Sequence, residues 1–176
     1  MERASSSNAA DAFGLLGLPA QFDLDAQTIE SAFFEKSKEL HPDRYASAPA
    51  AERVAALSKS RALNDAYQTV KKPIARAEYL LARAGVMIGD NERLDPTFLE
   101  DILEMREELA EARAAKRLEH VGQCQKEMAL RKQNVLDELP ALFAAHDLAQ
   151  IKDRLILLRY IQRYLDECDA ALDEEE

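Results

Sequence analysis

Hydrophobic residues recur along this chain with the three- and four-residue spacing of amphipathic helices, and few segments alternate as strands do. Five glycines and six prolines in 176 residues leave room for long helices rich in alanine and leucine. The pattern therefore predicts an all-α fold. Its predicted helices cover residues 11–17, 28–40, 50–72, 74–84, 96–115, 114–140 and 147–172.

Two of these helices have matching apolar stripes, which predicts that they pack on each other. The stripe of helix 28–40 consists of Ile29, Phe33 and Leu40. The expected core contacts of helix 50–72 are Leu63, Ala66, Tyr67 and Val70. These residues are predicted to form the core of a small N-terminal domain.

Capping residues mark where several helices should begin and end. The expected N-caps are Asp11, Asp25 and Asp95. The residues expected to end a helix are Gly17, Pro42, Pro73, Gly85 and Pro140. A loop at Gly89-Asp90-Asn91 is the expected hinge between the two halves of the chain.

The formal net charge of −10 argues against a general nucleic-acid binder, since phosphate contacts require clustered Lys and Arg. The charge is unevenly distributed. Residues 1–72 carry 9 basic and 10 acidic side chains, whereas residues 73–176 carry 14 basic and 23 acidic ones. This step predicts two parts with different partners.

The potential metal ligands are scattered along the sequence. Cys124 and Cys168 lack the paired spacing of a disulfide framework or a zinc knuckle. His41, His120 and His146 lie on separate segments, so we expect no metal site and no cofactor. No apolar run approaches the ~20 residues of a membrane span, and the N-terminus lacks a hydrophobic leader core. We expect a cytoplasmic protein without a membrane partner.

The tripeptide His41-Pro42-Asp43 joins the two helices that are predicted to pack together. Because proline fixes its own φ and disfavours helix at the preceding residue, His41 and Asp43 should project from the helix end towards another protein. An ordinary helix C-terminus is the other interpretation of the tripeptide alone. With its flanking helices and the sequence Asn-Asp-Ala-Tyr at 64–67, the corner resembles a J-domain, the module that stimulates ATP hydrolysis by DnaK-type chaperones.

This resemblance implies a chaperone-binding surface made of His41, Pro42, Asp43, Lys38 and Arg44. J-domains usually display basic residues along the helix before the corner, facing an acidic chaperone surface. Here Phe34, Glu35 and Glu39 stand at positions that are often basic. Lys36 falls at an apolar position, so its stem is expected to lie on the core while its amine reaches the surface.

Three later segments are similar to the HscB family of iron–sulfur co-chaperones. They are Ile74-Ala-Arg-Ala-Glu-Tyr-Leu-Leu81, Phe98-Leu99 and Met105-Arg-Glu-Glu-Leu109. The whole resemblance extends from about residue 12 to residue 172. It implies two partners, a DnaK-type chaperone of the HscA kind and the iron–sulfur scaffold protein IscU, which is delivered to that chaperone. The implied action is allosteric, with no catalytic residue in this chain.

The helix predicted over 96–115 has two different faces. Its core stripe should consist of Phe98, Ile102, Met105 and Leu109. The residues alone leave open whether Leu99 and Leu103, on the opposite charged face, pack elsewhere in the chain or form an exposed interaction surface. The HscB resemblance implies a scaffold-binding surface of Leu99, Leu103, Glu104, Glu107, Glu111 and Tyr160. Glu100 stands where the family has a second apolar residue.

The expected organisation is a disordered tail (1–9), a J-domain helical hairpin (10–72), a connecting helix and linker (73–94) and a C-terminal three-helix bundle (95–176). The family resemblance implies an L-shaped arrangement of the two domains. An alternative function is a J-domain adaptor that recruits a chaperone to a different client protein. A third is an enzyme that uses His41, Asp43 or the glutamates, which we do not expect, because no phosphate loop or nucleophile motif is present.

Overall fold

The computed structural model describes residues 11–90, 92–93 and 95–173, apart from the side chain of Pro42. The described residues contain no strand, so the predicted all-α fold is confirmed. The elements are α1 (Ala12–Leu16), α2 (Ala26–Glu39), a 3-10 turn (Pro42–Tyr45), α3 (Ala50–Lys71), α4 (Pro73–Arg83), α5 (Pro96–Ala114), α6 (Leu118–Ala144) and α7 (Leu148–Asp173). The predicted tail 1–9 and the last three acidic residues lie outside the described part. Within that part, no helix combines the length and apolarity that a membrane crossing requires.

Three aspartates begin helices, as predicted. The carboxylate of Asp11 accepts a hydrogen bond from Gly14 N, and that of Asp25 accepts one from Thr28 N at 2.8 Å. Asp95 caps α5 through Thr97 N at 3.0 Å. Each bond satisfies a backbone donor that has no partner within the helix. Local sequence therefore determines where these helices start.

The N-terminal core lies between α1, α2 and α3. Its largest fully buried residues are Phe13, Leu16 and Ile29, and Leu63, Ala66 and Val70 of α3 complete it. The predicted residues Phe33, Leu40 and Tyr67 pack partly buried against this cluster. Near the hairpin's open end, Lys71 Nζ lies 3.2 Å from Glu30 Oε1, so the end of α3 lies beside the start of α2. The predicted helical hairpin is confirmed.

Helix α4 is attached to the N-terminal core by two polar side chains. The Tyr79 hydroxyl accepts a hydrogen bond from Ala12 N and donates one to Asp11 Oδ1, both at 3.0 Å. Arg76 is 6% exposed, and its Nη1 donates to the carbonyl of Leu24 at 3.2 Å. Burial lowers the pKa of this guanidinium, although arginine remains charged at neutral pH. These contacts explain why Arg and Tyr occur in the segment 74–81.

Helices α5, α6 and α7 form the predicted three-helix bundle, with the largest shared surface between α6 and α7. The core residues with almost no exposure include Ile102, Leu109, Ala112, Val121, Met128, Leu139, Ile151, Leu155, Leu157, Leu158, Ile161, Tyr164 and Cys168. Of the four core positions predicted on α5, Ile102 and Leu109 are buried. Phe98 and Met105 are only partly buried. Arg131 and Arg154 lie over the Phe98 ring, and Arg131 also reaches the Met105 sulfur.

Both turns of the bundle consist of three residues, and each uses a left-handed residue that is not glycine. Lys116 has φ 52° and His146 has φ 53°. After each of them, a backbone N–H reaches back five residues, from Arg117 to Ala112 O and from Asp147 to Leu142 O. This hydrogen bond closes a Schellman-type helix end. Because glycine is missing from both turns, the sequence did not reveal them.

Two predicted boundaries of α6 are wrong. The helix begins at Leu118 instead of 114, because the left-handed turn at Lys116 separates it from α5. It also continues past Pro140 to Ala144. Proline removes one helical hydrogen bond, but the apolar pattern goes on to the partly buried Leu142 and Phe143. The packing of α6 on α7 maintains the helix there.

The chain divides into two compact units, one ending at Leu80 and the other beginning at Leu81. The division falls within α4 (Pro73–Arg83), a helix that was predicted to belong to a connecting segment. The predicted division into four segments stays a prediction. Gly89, in the described part of the predicted hinge, is bound to α7, because its carbonyl oxygen accepts a hydrogen bond from Arg159 Nη1 at 3.3 Å. Shortly after the hinge, Glu92 Oε1 lies 2.7 Å from Lys152 Nζ of the same helix. Asn91 lies outside the described residues.

The left-handed conformation of Lys116 leads to a prediction about stability. We expect Lys116→Gly to raise the free energy of unfolding by up to about 1 kcal/mol, because glycine adopts this φ without steric cost. Lys126→Gly, at an exposed position inside α6, should lower it by about 1 kcal/mol. Urea unfolding followed by circular dichroism measures both. Equal destabilisation by the two variants would contradict the role given to Lys116.

Candidate functional site

The corner at residues 41–43 lies at the end of α2, and its His41 and Asp43 side chains are exposed. Leu40 ends the helix, and His41 has an extended backbone with φ −60° and ψ 134°. The Nδ1 atom of His41 accepts a hydrogen bond from Asp43 N at 3.3 Å. This imidazole therefore caps the short turn that starts at Pro42, and its Nε2 atom is directed away from that bond.

The side chains of His41 and Asp43 lie close together. His41 Nδ1 is 3.5 Å from Asp43 Oδ2. The exposed fraction is 59% for the His41 side chain and 90% for that of Asp43. Pairs as exposed as this contribute little to stability. The arrangement can offer a ring nitrogen and a carboxylate to another protein, whereas the side chain of Pro42 lies outside the described residues.

The lysines before the corner are paired with acidic residues of their own helix. Lys38 Nζ lies 2.8 Å from Glu35 Oε1 and 4.3 Å from the centre of the Phe34 ring. Lys36 Nζ lies 3.8 Å from Glu39 Oε2. Three residues apart on a helix, these charges are neighbours. The two glutamates reduce the positive potential that the two lysines would otherwise give to this face of α2.

The other residues predicted near the corner fit their expected positions. Arg44 is exposed on the 3-10 turn, and its backbone N–H donates to His41 O at 3.0 Å. Lys36 is partly buried, and its Cε would lie 3.7 Å from a Cβ placed on Gly17. The stem of Lys36 thus lies beside the end of α1 while its amine pairs at the surface, as predicted.

On α5, the two leucines predicted to bind a partner are exposed. Leu99 is 37% and Leu103 is 51% exposed. They are four residues apart and therefore neighbours on one side of the helix. Ile102 and Leu109, on the opposite side, are buried. The structure thus favours an exposed apolar surface over packing inside the bundle.

Acidic residues continue this surface along α5. Glu104, Glu107 and Glu111 are exposed, as is Glu100, which stands beside Leu99 and Leu103. The result is a narrow apolar strip bordered by carboxylates. Such a strip matches a partner with an apolar contact surrounded by basic side chains.

Tyr160 occupies a different environment. It lies on α7, is partly exposed, and has the guanidinium of Arg163 5.7 Å from its ring centre. It lines a small depression with Gly89, Glu92 and Arg159. Among the contacts described, none joins Tyr160 to the leucines of α5.

Two exposed apolar residues on α3 were not singled out from the sequence. Val54 is 65% and Leu57 is 59% exposed. Val54 and Leu57 stand three residues apart but outside the stripe of Leu63 and Val70. A helical wheel centred on the core stripe could have found them.

Comparison with protein families assigns both halves of the chain. Residues 11–79 match the DnaJ domain, and residues 94–169 match the HSCB C-terminal oligomerisation domain. The "Co-chaperone protein HscB homolog" of Aromatoleum aromaticum is 33% identical over 169 residues, which cover 93% of this chain and 96% of that protein. The homolog of Vibrio vulnificus is 48% identical over 101 residues, or 56% of this chain. That match spans 59% of the Vibrio protein.

Solved structures agree with the family comparison. "Chaperone HscB from Vibrio cholerae" has a TM-score of 0.81 and 32% identity, covering 94% of this chain and 99% of that one. The human co-chaperone protein HscB has a TM-score of 0.83 at 24% identity, covering 93% and 82%, which shows the same fold. The predicted family is thus confirmed. With a J-domain at its N-terminus and an HscB-type domain after it, this chain belongs to the HscB family of co-chaperones.

Proposed function

We propose that this protein stimulates the ATPase of a DnaK-type chaperone of the HscA kind through its J-domain. We further propose that it delivers an IscU-type scaffold protein to that chaperone for iron–sulfur cluster assembly or transfer. The exposed corner of His41 and Asp43 carries the first part, because both side chains project from a rigid helical hairpin. The HscB-type C-terminal domain supports the second part.

The proposed action is allosteric. The corner would bind the state of the chaperone that hydrolyses ATP more tightly than the other states, and this difference in affinity shifts the population towards hydrolysis. ATP is bound and cleaved on the partner, so this chain needs no catalytic residue. Its chaperone-binding residues would be His41, Pro42, Asp43, Lys38 and Arg44.

The first test replaces the imidazole of the corner. We expect His41→Gln to abolish stimulation of the chaperone ATPase, because glutamine lacks the imidazole ring that both caps the turn and faces the partner. Steady-state ATP turnover of an HscA-type chaperone, with and without this protein, measures the effect. Helix content and scaffold binding should stay unchanged.

The matched control is His146→Gln, since His146 is also exposed but lies in the turn between α6 and α7. It should stimulate like the unmodified protein. Stimulation by His41→Gln at the level of the control would refute the role of the corner.

Because the lysines of α2 are paired with glutamates, we expect the affinity for the chaperone to depend on the charge of this helix. Glu35→Lys should raise the affinity for the chaperone several-fold at low salt, because it frees Lys38 and adds a positive charge to the helix before the corner. The gain should shrink as the ionic strength rises. Glu127→Lys, exposed on α6, makes the same change in net charge and should have little effect. Binding titrations at two salt concentrations test this, and an equal gain for both variants would exclude a local effect.

For the scaffold, we propose a contact centred on Leu99 and Leu103. The acidic residues Glu104, Glu107 and Glu111 would surround it, and Tyr160 would add a contact from α7. The exposure of two leucines on an otherwise charged face supports this assignment. Glu100 narrows the apolar strip, so the two leucines should supply most of its apolar contact area.

Truncating the two leucines tests the contact. Leu99→Ala with Leu103→Ala should weaken scaffold binding by roughly tenfold or more, because each side chain contributes about 1 kcal/mol of apolar burial. Leu130→Ala is the control, since Leu130 is 64% exposed on α6. Titration calorimetry with an IscU-type scaffold measures the affinities. If the double variant binds like the control, the contact lies elsewhere. In a separate capture experiment, recovery of a chaperone without any scaffold would favour the alternative function, an adaptor for another client protein.

We also propose that the protein acts in a reducing compartment, the cytoplasm. Cys124 and Cys168 are both free and buried. Buried thiols without a disulfide are typical of proteins in reducing surroundings.

A further inference from the structure

Three side chains that bind metals in other proteins meet between α5 and α6. They are Glu108 of α5 and His120 and Cys124 of α6, and their ligand atoms all lie within 4.8 Å of one another. His120 Nε2 is 2.9 Å from Glu108 Oε1. The co-chaperone function proposed above uses none of these three residues.

The local fold brings the three residues together. His120 and Cys124 are four residues apart on α6, so their side chains lie on the same side of that helix. The short turn at Lys116 reverses the chain after α5, which places Glu108 opposite them. The His–x–x–x–Cys spacing is visible in the sequence, but Glu108 joins it only through the packing of the two helices.

Exposure changes steadily across the cluster. Cys124 is 4% exposed, the side chain of His120 is 33% exposed, and that of Glu108 is 54% exposed. An ion held by these three atoms would therefore bind the sulfur on its inner side and face solvent on its outer side. Three protein ligands with one position open to water is a common arrangement for zinc.

The types of ligand define the class of ion. A thiolate, an imidazole and a carboxylate together suit a divalent ion of borderline softness, whereas calcium and magnesium prefer oxygen ligands alone. In a tetrahedral zinc site, neighbouring ligand atoms stand about 3.5 Å apart. Separations of up to 4.8 Å in the cluster would have to close towards about 3.5 Å, and the 2.9 Å between His120 Nε2 and Glu108 Oε1 would have to widen. The thiol proton passes to solvent when the sulfur binds.

We propose that Glu108, His120 and Cys124 form a binding site for one zinc-type divalent ion, which links α5 to α6. The competing explanation is an ordinary interhelical His–Glu pair beside a buried core thiol. That explanation accounts for the 2.9 Å contact but predicts no metal affinity, so binding itself separates the two.

The probe is Co²⁺, followed by Zn²⁺ in competition, added to the reduced full-length protein after treatment with a chelator. We expect one Co²⁺ per chain, with visible d–d bands and a near-ultraviolet charge-transfer band from the thiolate. Zn²⁺ should displace the Co²⁺ and remove both sets of bands. It should also raise the unfolding temperature, because an ion that binds only the folded chain stabilises it.

Matched variants locate the site. Cys124→Ala should lose the charge-transfer band, and Glu108→Gln and His120→Gln should each weaken Zn²⁺ binding by about tenfold or more. Cys168→Ala, Glu107→Gln and His146→Gln are the controls for thiol, carboxylate and imidazole, and should keep the parent affinity.

Two outcomes would overturn the proposal. One is the lack of a thiolate band in the unmodified protein at micromolar Co²⁺. The other is unchanged Zn²⁺ affinity in Glu108→Gln and His120→Gln, whose side chains are partly exposed and can be replaced even if Cys124→Ala fails to fold.

Discussion

The apolar contact between α2 and α3 is the constraint on which the corner proposed to bind a chaperone depends. Burying an aliphatic side chain such as Ile29, Leu63 or Val70 contributes roughly 1.5–3 kcal/mol, far more than an exposed ion pair contributes. Because this core holds the two helices side by side, the chain must reverse between them, and His41 and Asp43 lie on the outside of that reversal. The stability of the hairpin and its recognition chemistry therefore depend on different residues, so the corner can change without unfolding the domain.

Two of the residues that carry the family resemblance have a structural role. Arg76 and Tyr79 belong to one of the three segments that resemble HscB proteins, and both form contacts inside the N-terminal unit. The guanidinium donates to Leu24 O and lies 5.1 Å from the ring centre of Phe22, while the phenol bridges Asp11 and Ala12. Buried polar groups are tolerated when they are hydrogen-bonded. Here they attach α4 to the J-domain, which is a structural reason for the motif.

The surfaces proposed for the two partners, on α2 and on α5, differ in their charge. On α2 the acidic Glu35 and Glu39 compensate the lysines within the helix, which predicts a modest electrostatic attraction to an acidic chaperone. On α5, no ion pair within the described part of the chain involves Glu104, Glu107 or Glu111, and the apolar part of the strip consists of Leu99 and Leu103. The first surface would depend on a few directed polar groups, the second on apolar burial with an acidic border.

The sequence by itself determined the helical class, the three aspartate caps, the J-domain corner and the family, because each depends on local spacing or on a contiguous motif. The tertiary structure alone decided what depends on contacts between distant residues. The packing on α7 continues α6 past Pro140, and the left-handed Lys116 ends α5 without glycine. The meeting of Glu108 with His120 and Cys124 likewise arises only when two helices pack. Periodicity shows which face of a helix is apolar, but it contains no information on which helix will cover that face.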